Sequence, residues 1–187
     1  MENPNPAVRD SRDPLTGLLD RTAFRALLET ERERSARSHQ PFGLILFDID
    51  RFKVVNYGYG EQHGDALLMS LAELARKTLR PTDFLSSWGG QEFLCLLPNT
   101  DKAATEELAE RLRRAIETAS VSHAEVELRA TASFATACYP KDGDSTVRLL
   151  AALGAALHQA KSMGRNRVVP ASGLRPQLFG IGRMLSQ

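Results

Sequence analysis

Only two cysteines, Cys95 and Cys138, occur in 187 residues, and both sit in apolar, strand-like stretches. That rules out a disulfide framework; buried thiols in a reducing compartment are the expectation. Neither sign of charge is in excess: 24 Lys+Arg stand against 23 Asp+Glu, for a net charge of +1. Sequence-independent nucleic-acid binding needs a dense basic face, so nucleic acid is not an expected partner, although a local nucleotide site is compatible with this balance. The longest run without a polar side chain is Leu149–Leu157, far short of the ~20 residues of a membrane-spanning helix. The N-terminus carries no basic-then-apolar leader, and there is no internal repeat or low-complexity tract. These absences lead to the expectation of a soluble, cytoplasmic domain, or of a fragment of something longer.

Hydrophobic residues make up 42% of the chain, enough for a real core in one domain of ~150 residues. Residues 1–12, with Pro4 and Pro6 between asparagines, read as a flexible linker. Asp20 is placed to cap a helix through Phe24, Leu27 and Leu28. Phe42–Phe47 is a continuous apolar run that predicts a buried strand ending at Asp48, and Phe52–Asn56 begins a turn or helix. Leu67, Leu71, Leu74 and Leu79 predict a helix over Gly64–Arg80. Phe84–Trp88 and Glu92–Leu97 flank Gly89-Gly90 as a hairpin. A helix is predicted from Asp101 to Ala119 on Ala104, Leu108, Leu112 and Ile116. One long strand is predicted over Val126–Cys138, a helix on Val147, Leu150, Leu153 and Leu157, and a closing strand at Arg167–Val169. The order predicts an α/β (α+β) fold with a sheet that is at least partly antiparallel and is covered by helices. The tail, 170–187, carries Leu178, Phe179, Ile181, Met184 and Leu185 and reads as a docking segment or as the lead into a further domain.

Asp48 and Asp50 follow a buried apolar strand, and a spacing of two puts both on one face if the strand continues. Carboxylates at a strand end are a common way to hold Mg²⁺ against phosphates, while two solvated loop acids are the plain alternative. Ser87-Trp88-Gly89-Gly90-Gln91-Glu92-Phe93 places two glycines where a tight turn lets a phosphate or base approach the backbone; a simple hairpin is the alternative here.

Taken together, these blocks resemble the GGDEF family, the diguanylate cyclases, which join two GTP molecules into cyclic di-GMP. The resemblance rests on Asp13-Pro14-Leu15-Thr16-Gly17-Leu18, on Phe47 to Lys53 with Asn56, Gly64 and Asp65, and on the hairpin Gly89-Gly90-Gln91-Glu92-Phe93. Tyr139 to Gly143, Ala160-Lys161 and Gly164-Arg165-Asn166 extend it across about 13–169. It implies a five-stranded, mainly antiparallel sheet flanked by helices, of the nucleotidyl-cyclase and polymerase-palm type. It also implies that Asp48 and the Ile49 carbonyl hold Mg²⁺, that Asn56 and Asp65 read the guanine edge, and that Lys53, Lys161 and Arg165 neutralise the triphosphate. Gly89 and Gly90 would let the nucleotide lie against the hairpin.

The chain also departs from the family pattern. Gln91 stands at the third signature position, where a carboxylate is expected to bind metal and help deprotonate the attacking hydroxyl; Glu92 is retained beside it. Ser87, Tyr57, Glu61, Gly154, His158 and Ala135 likewise replace usual family residues. By contrast, Arg80-Pro81-Thr82-Asp83 resembles the family's RxxD inhibitory site for cyclic di-GMP, with Arg111 as a further guanine contact. Arginine grips the O6/N7 edge of guanine bidentately; a helix end and a turn are the plain reading of the same residues. The expectation is a signalling domain with impaired catalysis and a weakened Mg²⁺ site, which binds cyclic di-GMP and retains some GTP binding. A homodimer linked by ligand and a neighbouring signalling domain or protein partner are expected with it. An active cyclase is the alternative, and a GTP-binding or protein-docking module is the third.

Overall fold

The computed structural model describes residues 11–171. Most of the linker read over 1–12, and the tail from 172 onward with Leu178 through Leu185, lie outside the described residues.

The chain enters through a tight turn. Asp13 Oδ1 accepts from the Thr16 backbone N–H at 2.8 Å and the Thr16 hydroxyl at 2.6 Å, and Gly17 closes the turn at φ 69°, where a side chain would be strained. Leu19 then bridges in parallel to Ser86. Asp20 caps the first helix by accepting from Ala23 N–H at 2.8 Å, as its sequence position predicts. The elements that follow are α1 (Arg21–Ser38), β1 (Phe42–Ile49), α2 (Phe52–Tyr59), α3 (Glu61–Thr78), β2 (Phe84–Gly89), β3 (Glu92–Pro98) and α4 (Lys102–Thr118). The chain is completed by β4 (Val121–His123), β5 (Val126–Leu128), β6 (Ala132–Tyr139), α5 (Thr146–Ser162) and β7 (Val168–Pro170).

Five strands form one sheet in the order β2-β3-β1-β6-β7. All neighbours in it are antiparallel except β6 and β7, which matches the expected architecture. The central strand β1 is buried along its whole length, and this is why it reads as unbroken apolar sequence: both faces are covered. Ile45, Phe47 and Ile49 face a core shared with Leu67 and Leu71 of α3 and Leu112 and Ile116 of α4. Phe42, Leu44 and Leu46 face a second core with Phe24 and Leu28 of α1 and Leu149 and Leu153 of α5. Phe47 stacks between Phe93 at 5.1 Å and Phe134 at 5.0 Å, cross-strand contacts each worth about 0.5–1.5 kcal/mol beyond area burial. Cys95 and Cys138 are buried free thiols.

Three expectations need correction. The long strand over Val126–Cys138 is two strands: Val126–Leu128 pairs with Val121–His123 in a separate ribbon, and β6 starts only at Ala132. The ribbon turns on Ala124 and Glu125, both at positive φ, without the glycine or asparagine that would have marked it. Val147 is exposed on α5, whose buried stripe is Leu149, Leu153, Ala156, Leu157 and Ala160. On α4, Ala104 is exposed, and Thr105 and Ala109 take the inward positions beside Leu112 and Ile116.

Candidate functional site

Strand alternation puts Asp48 on the same face as Phe42, Leu44 and Leu46, toward α1 and α5. It is 3% exposed, and its register partners are Glu92 on β3 and Ser133 on β6. Lys161, in the last turn of α5, reaches its Oδ2 with Nζ at 2.9 Å. Gln91 turns its Nε2 toward Asp48 Oδ1 at 3.5 Å, and its backbone carbonyl accepts from Ile49 N–H at 3.3 Å. Gly89 and Gly90, at φ 151° and 56°, make the turn that carries Gln91 to this position. Burial pushes the Glu92 carboxyl above the ordinary carboxylate range; the Asp48 charge adds to the rise, while Lys161 and Arg21 oppose it. Two carboxylates with adjacent backbone positions thus repel each other at one strand end, an arrangement that a hard divalent cation relieves. The oxygens of Asp48, Glu92 and the Ile49 carbonyl are of the type Mg²⁺ takes. Among the described residues, no three His, Cys, Asp or Glu side chains gather as a metal cluster, and the third signature position holds an amide.

Asp50, two residues on, is taken up by hydrogen bonds of its own. The strand ends at Ile49, the Asp50 N–H still donates to the Thr131 carbonyl at 2.8 Å, and Arg51, at φ 55°, turns the chain into α2. Asp50 is buried and accepts from the Thr131 hydroxyl at 2.7 Å, the Ser133 hydroxyl at 2.7 Å and the Asn166 N–H at 3.1 Å. Its carboxylate ties the end of β1 to the start of β6 and to the loop that carries Arg165; with Asp48 and Asp50 both buried, the plain alternative of two solvated loop acids is corrected.

Asn56 on α2 and Gly64-Asp65 on α3 are brought together by the packing of these two helices. A Cβ on Gly64 would lie 1.8 Å from Asn56 Oδ1, so only glycine admits the asparagine there. That Oδ1 is buried and has no hydrogen-bond partner, a costly state that a ligand donor would relieve. Asp65 and Lys53 are exposed. Arg165 is exposed at φ 67°.

Arg80 and Asp83 lie in the turn between α3 and β2. Asp83 Oδ2 accepts from Arg80 N–H at 2.9 Å, and Asp83 N–H donates to the Arg80 carbonyl at 3.0 Å, which leaves the guanidinium free of the turn itself. Both residues line a cleft of about 660 Å³ between this turn and α1, which also draws in Arg12, Arg76, Leu27 and Phe84. Arg111 reaches the same helix end but donates to the Thr78 carbonyl at 3.0 Å and is not among the residues lining the cleft.

The profile described as "Diguanylate cyclase, GGDEF domain" matches residues 10–167. The chain belongs to the GGDEF family. It is 36% identical over 159 residues to diguanylate cyclase DgcM of Escherichia coli K12, a match that covers 85% of this chain and 38% of that protein; this chain therefore spans well under half of that relative. Its fold is similar to that of diguanylate cyclase SiaD of Pseudomonas aeruginosa, solved in complex with its activator SiaC, with TM-score 0.82, 35% identity, and coverage of 88% of this chain and 63% of that one. It is also similar to the GGDEF domain of DgcB from Caulobacter crescentus, solved in complex with c-di-GMP, with TM-score 0.78, 26% identity, and coverage of 91% and 99%.

Within this GGDEF domain, sequence reasoning missed Arg12 and Arg76, which line the same cleft as Arg80. Neither carried a local signal: the bridge from Leu19 to Ser86 places the entry turn beside β2, and α3 ends at Thr78, before Arg80. No helix among the described residues is long and apolar enough to cross a membrane.

Proposed function

We propose that this GGDEF domain acts as a cyclic di-GMP receptor whose cyclase chemistry is impaired. The observation that carries this reading is the cleft that presents Arg80 and Asp83 together with two further arginines, in a chain whose third signature residue is Gln91. One guanidinium fork matches a guanine O6/N7 edge, and the free Asp83 oxygen accepts from guanine N–H groups. The apolar wall of Leu27 and Phe84 suits the faces of a planar dinucleotide. Such a ligand has two equivalent guanine ends, so a stacked pair of ligands links two copies of the domain.

The cyclase reaction requires the 3′-hydroxyl of one GTP to attack the α-phosphate of another, with two domains facing each other. Here Asn56 and Asp65 read guanine, and Lys53 and Arg165 take phosphate charge. Lys161 is shared between phosphate and the Asp48 carboxylate it already contacts. Mg²⁺, held by Asp48 and the Ile49 carbonyl, would supply the neutralising charge. The Gln91 amide brings neither negative charge nor a site that accepts the hydroxyl proton, and Glu92 is the nearest carboxyl left to do so. The unpaired Asn56 Oδ1 favours retained GTP binding even where turnover fails.

Calorimetry of the full chain with cyclic di-GMP and with GTP–Mg²⁺ tests this reading. Arg80→Ala should weaken cyclic di-GMP binding by roughly 5- to 150-fold, the cost of about 1–3 kcal/mol for an unpaired guanine edge. Asp83→Ala should also weaken it, with folding checked by circular dichroism. Unchanged affinity in both folded variants overturns the receptor reading and leaves a helix end and a turn.

A further inference from the structure

Two of the four histidines of the chain come from separate elements and meet. His63 lies in the first turn of α3 and His123 ends β4; their ring centres are 5.0 Å apart, with the planes at 89°. Tyr59, the last residue of α2, stands beside His63 with ring centres 6.1 Å apart. The backbones that carry the two imidazoles are tied to one core: Val121 of β4 is buried in the same cluster as Leu67 and Leu71 of α3. The pair is therefore brought together by packing that does not involve the rings themselves.

His63 Nε2 is buried and has no hydrogen-bond partner among the described residues, a costly state for an imidazole nitrogen. An ion between the rings would turn that nitrogen into a ligand. The spacing fits such an ion, because Zn²⁺ holds imidazole nitrogens at about 2.0–2.1 Å in tetrahedral geometry, which sets the centres of two ligating rings about 5 Å apart. Perpendicular planes are no obstacle, since each nitrogen bonds in the plane of its own ring. Among the described residues no third His, Cys, Asp or Glu joins the pair. Both histidines are only partly buried, so water can complete the coordination, as it does where a zinc site keeps positions open.

We propose that His63 and His123 chelate a transition-metal ion of the Zn²⁺ class and so join α3 to the β4–β5 ribbon. Imidazole suits Zn²⁺, Cu²⁺ and Ni²⁺, whereas Mg²⁺ takes oxygen ligands; the pair is thus chemically distinct from the corner formed by Asp48 and Glu92. The ion would brace the turn of α3 in which Gly64 abuts Asn56. The proposal depends on neither the cyclic di-GMP reading nor the GTP reading.

The test is calorimetry of the full, untagged chain with Zn²⁺ in excess Mg²⁺, which keeps the oxygen-rich corner occupied, for the wild type, His63→Gln, His123→Gln and His158→Gln. His158 is exposed on α5 and serves as the control. The wild type and His158→Gln should bind one ion per chain, and each of the other two variants should lose at least about tenfold in affinity, since even supporting groups around a metal are worth ~10–100-fold. Zn²⁺ should raise the melting temperature of the wild type and not that of His63→Gln or His123→Gln, because a ligand of the folded state alone stabilises it. Circular dichroism checks that each variant folds, and the two substitutions lie on different elements, so one folded variant suffices to read the loss. No Zn²⁺ binding to the wild type, binding unchanged in a folded His63→Gln or His123→Gln, or equal loss in His158→Gln overturns the proposal.

Discussion

Gln91, in the turn between β2 and β3, faces Asp48 at the end of β1, its amide nitrogen 3.5 Å from the carboxylate oxygen. The residue at the third signature position therefore offers a hydrogen to its neighbour, where a carboxylate would offer lone pairs to a cation. A glutamate there would stand near Asp48 and Glu92, and three carboxylates at one strand end would demand a divalent ion.

Gln91→Glu should accordingly raise cyclase turnover by on the order of 100-fold, at or above the upper end of what losing even a supporting group around a metal costs. Chromatographic detection of cyclic di-GMP formed from GTP–Mg²⁺ measures this, with both proteins at high concentration so that domain pairing does not limit either. Cyclic di-GMP formed well above background and at near-equal rates by both proteins would show that the domain is an active cyclase without a carboxylate at position 91.

Gly64→Ala probes the guanine-reading corner. The added methyl would sit 1.8 Å from Asn56 Oδ1 and 3.0 Å from the Phe52 ring, so the asparagine must swing away. GTP binding should weaken by roughly tenfold, within the ~1–3 kcal/mol attached to an unmade buried hydrogen bond, and cyclic di-GMP binding should stay as in the wild type. Alanine's helix propensity offsets part of the strain, so the melting temperature should change little. Calorimetry with each ligand, beside a thermal melt, measures all three.

Acid sensitivity should trace in part to Glu110 on α4. Its side-chain hydrogen bond with Arg113, aided by Arg114, holds the carboxyl down at about 2 from an ordinary 4.5. A carboxyl lowered by folding adds stability that is fully present above its ordinary value and is lost as pH falls toward the folded value. Urea denaturation of the wild type and Glu110→Gln should show a gap at neutral pH that closes between about pH 4.5 and 2. Solvent screening keeps that gap under about 1 kcal/mol. A gap that stays constant with pH would show that the variant acts through something other than the charge.

Much of this architecture is written locally in the sequence. Asp20 and Asp101 announce helix starts because capping is a contact over three residues, and Gly89-Gly90 announces a hairpin because few other residues tolerate those angles. The break between β5 and β6 has no such local mark, since Arg129 to Thr131 contain neither glycine nor proline. The site was legible at Asp48, where an apolar run ends on an acid. It was not legible at Asp50, whose partners Thr131 and Ser133 lie some eighty residues away along the chain. Arg51, at a positive φ uncommon for a side-chain-bearing residue, is where the chain turns from the strand end into α2, and nothing in its chemistry foretells that angle.

The bridge from Leu19 to Ser86 has a further consequence. The Ser87 N–H on the outer strand β2 donates to the Leu19 carbonyl at 3.0 Å, and the opposite margin of the sheet is β7, three residues long and ending in Pro170. Both margins are therefore blunted against strand-by-strand addition, in the way natural sheets avoid uncontrolled polymerisation. Two copies of this domain cannot readily zip their sheets into one continuous ribbon. Any pairing of two copies would fall instead to helix faces and loops, contacts more easily made and unmade than a shared strand ladder.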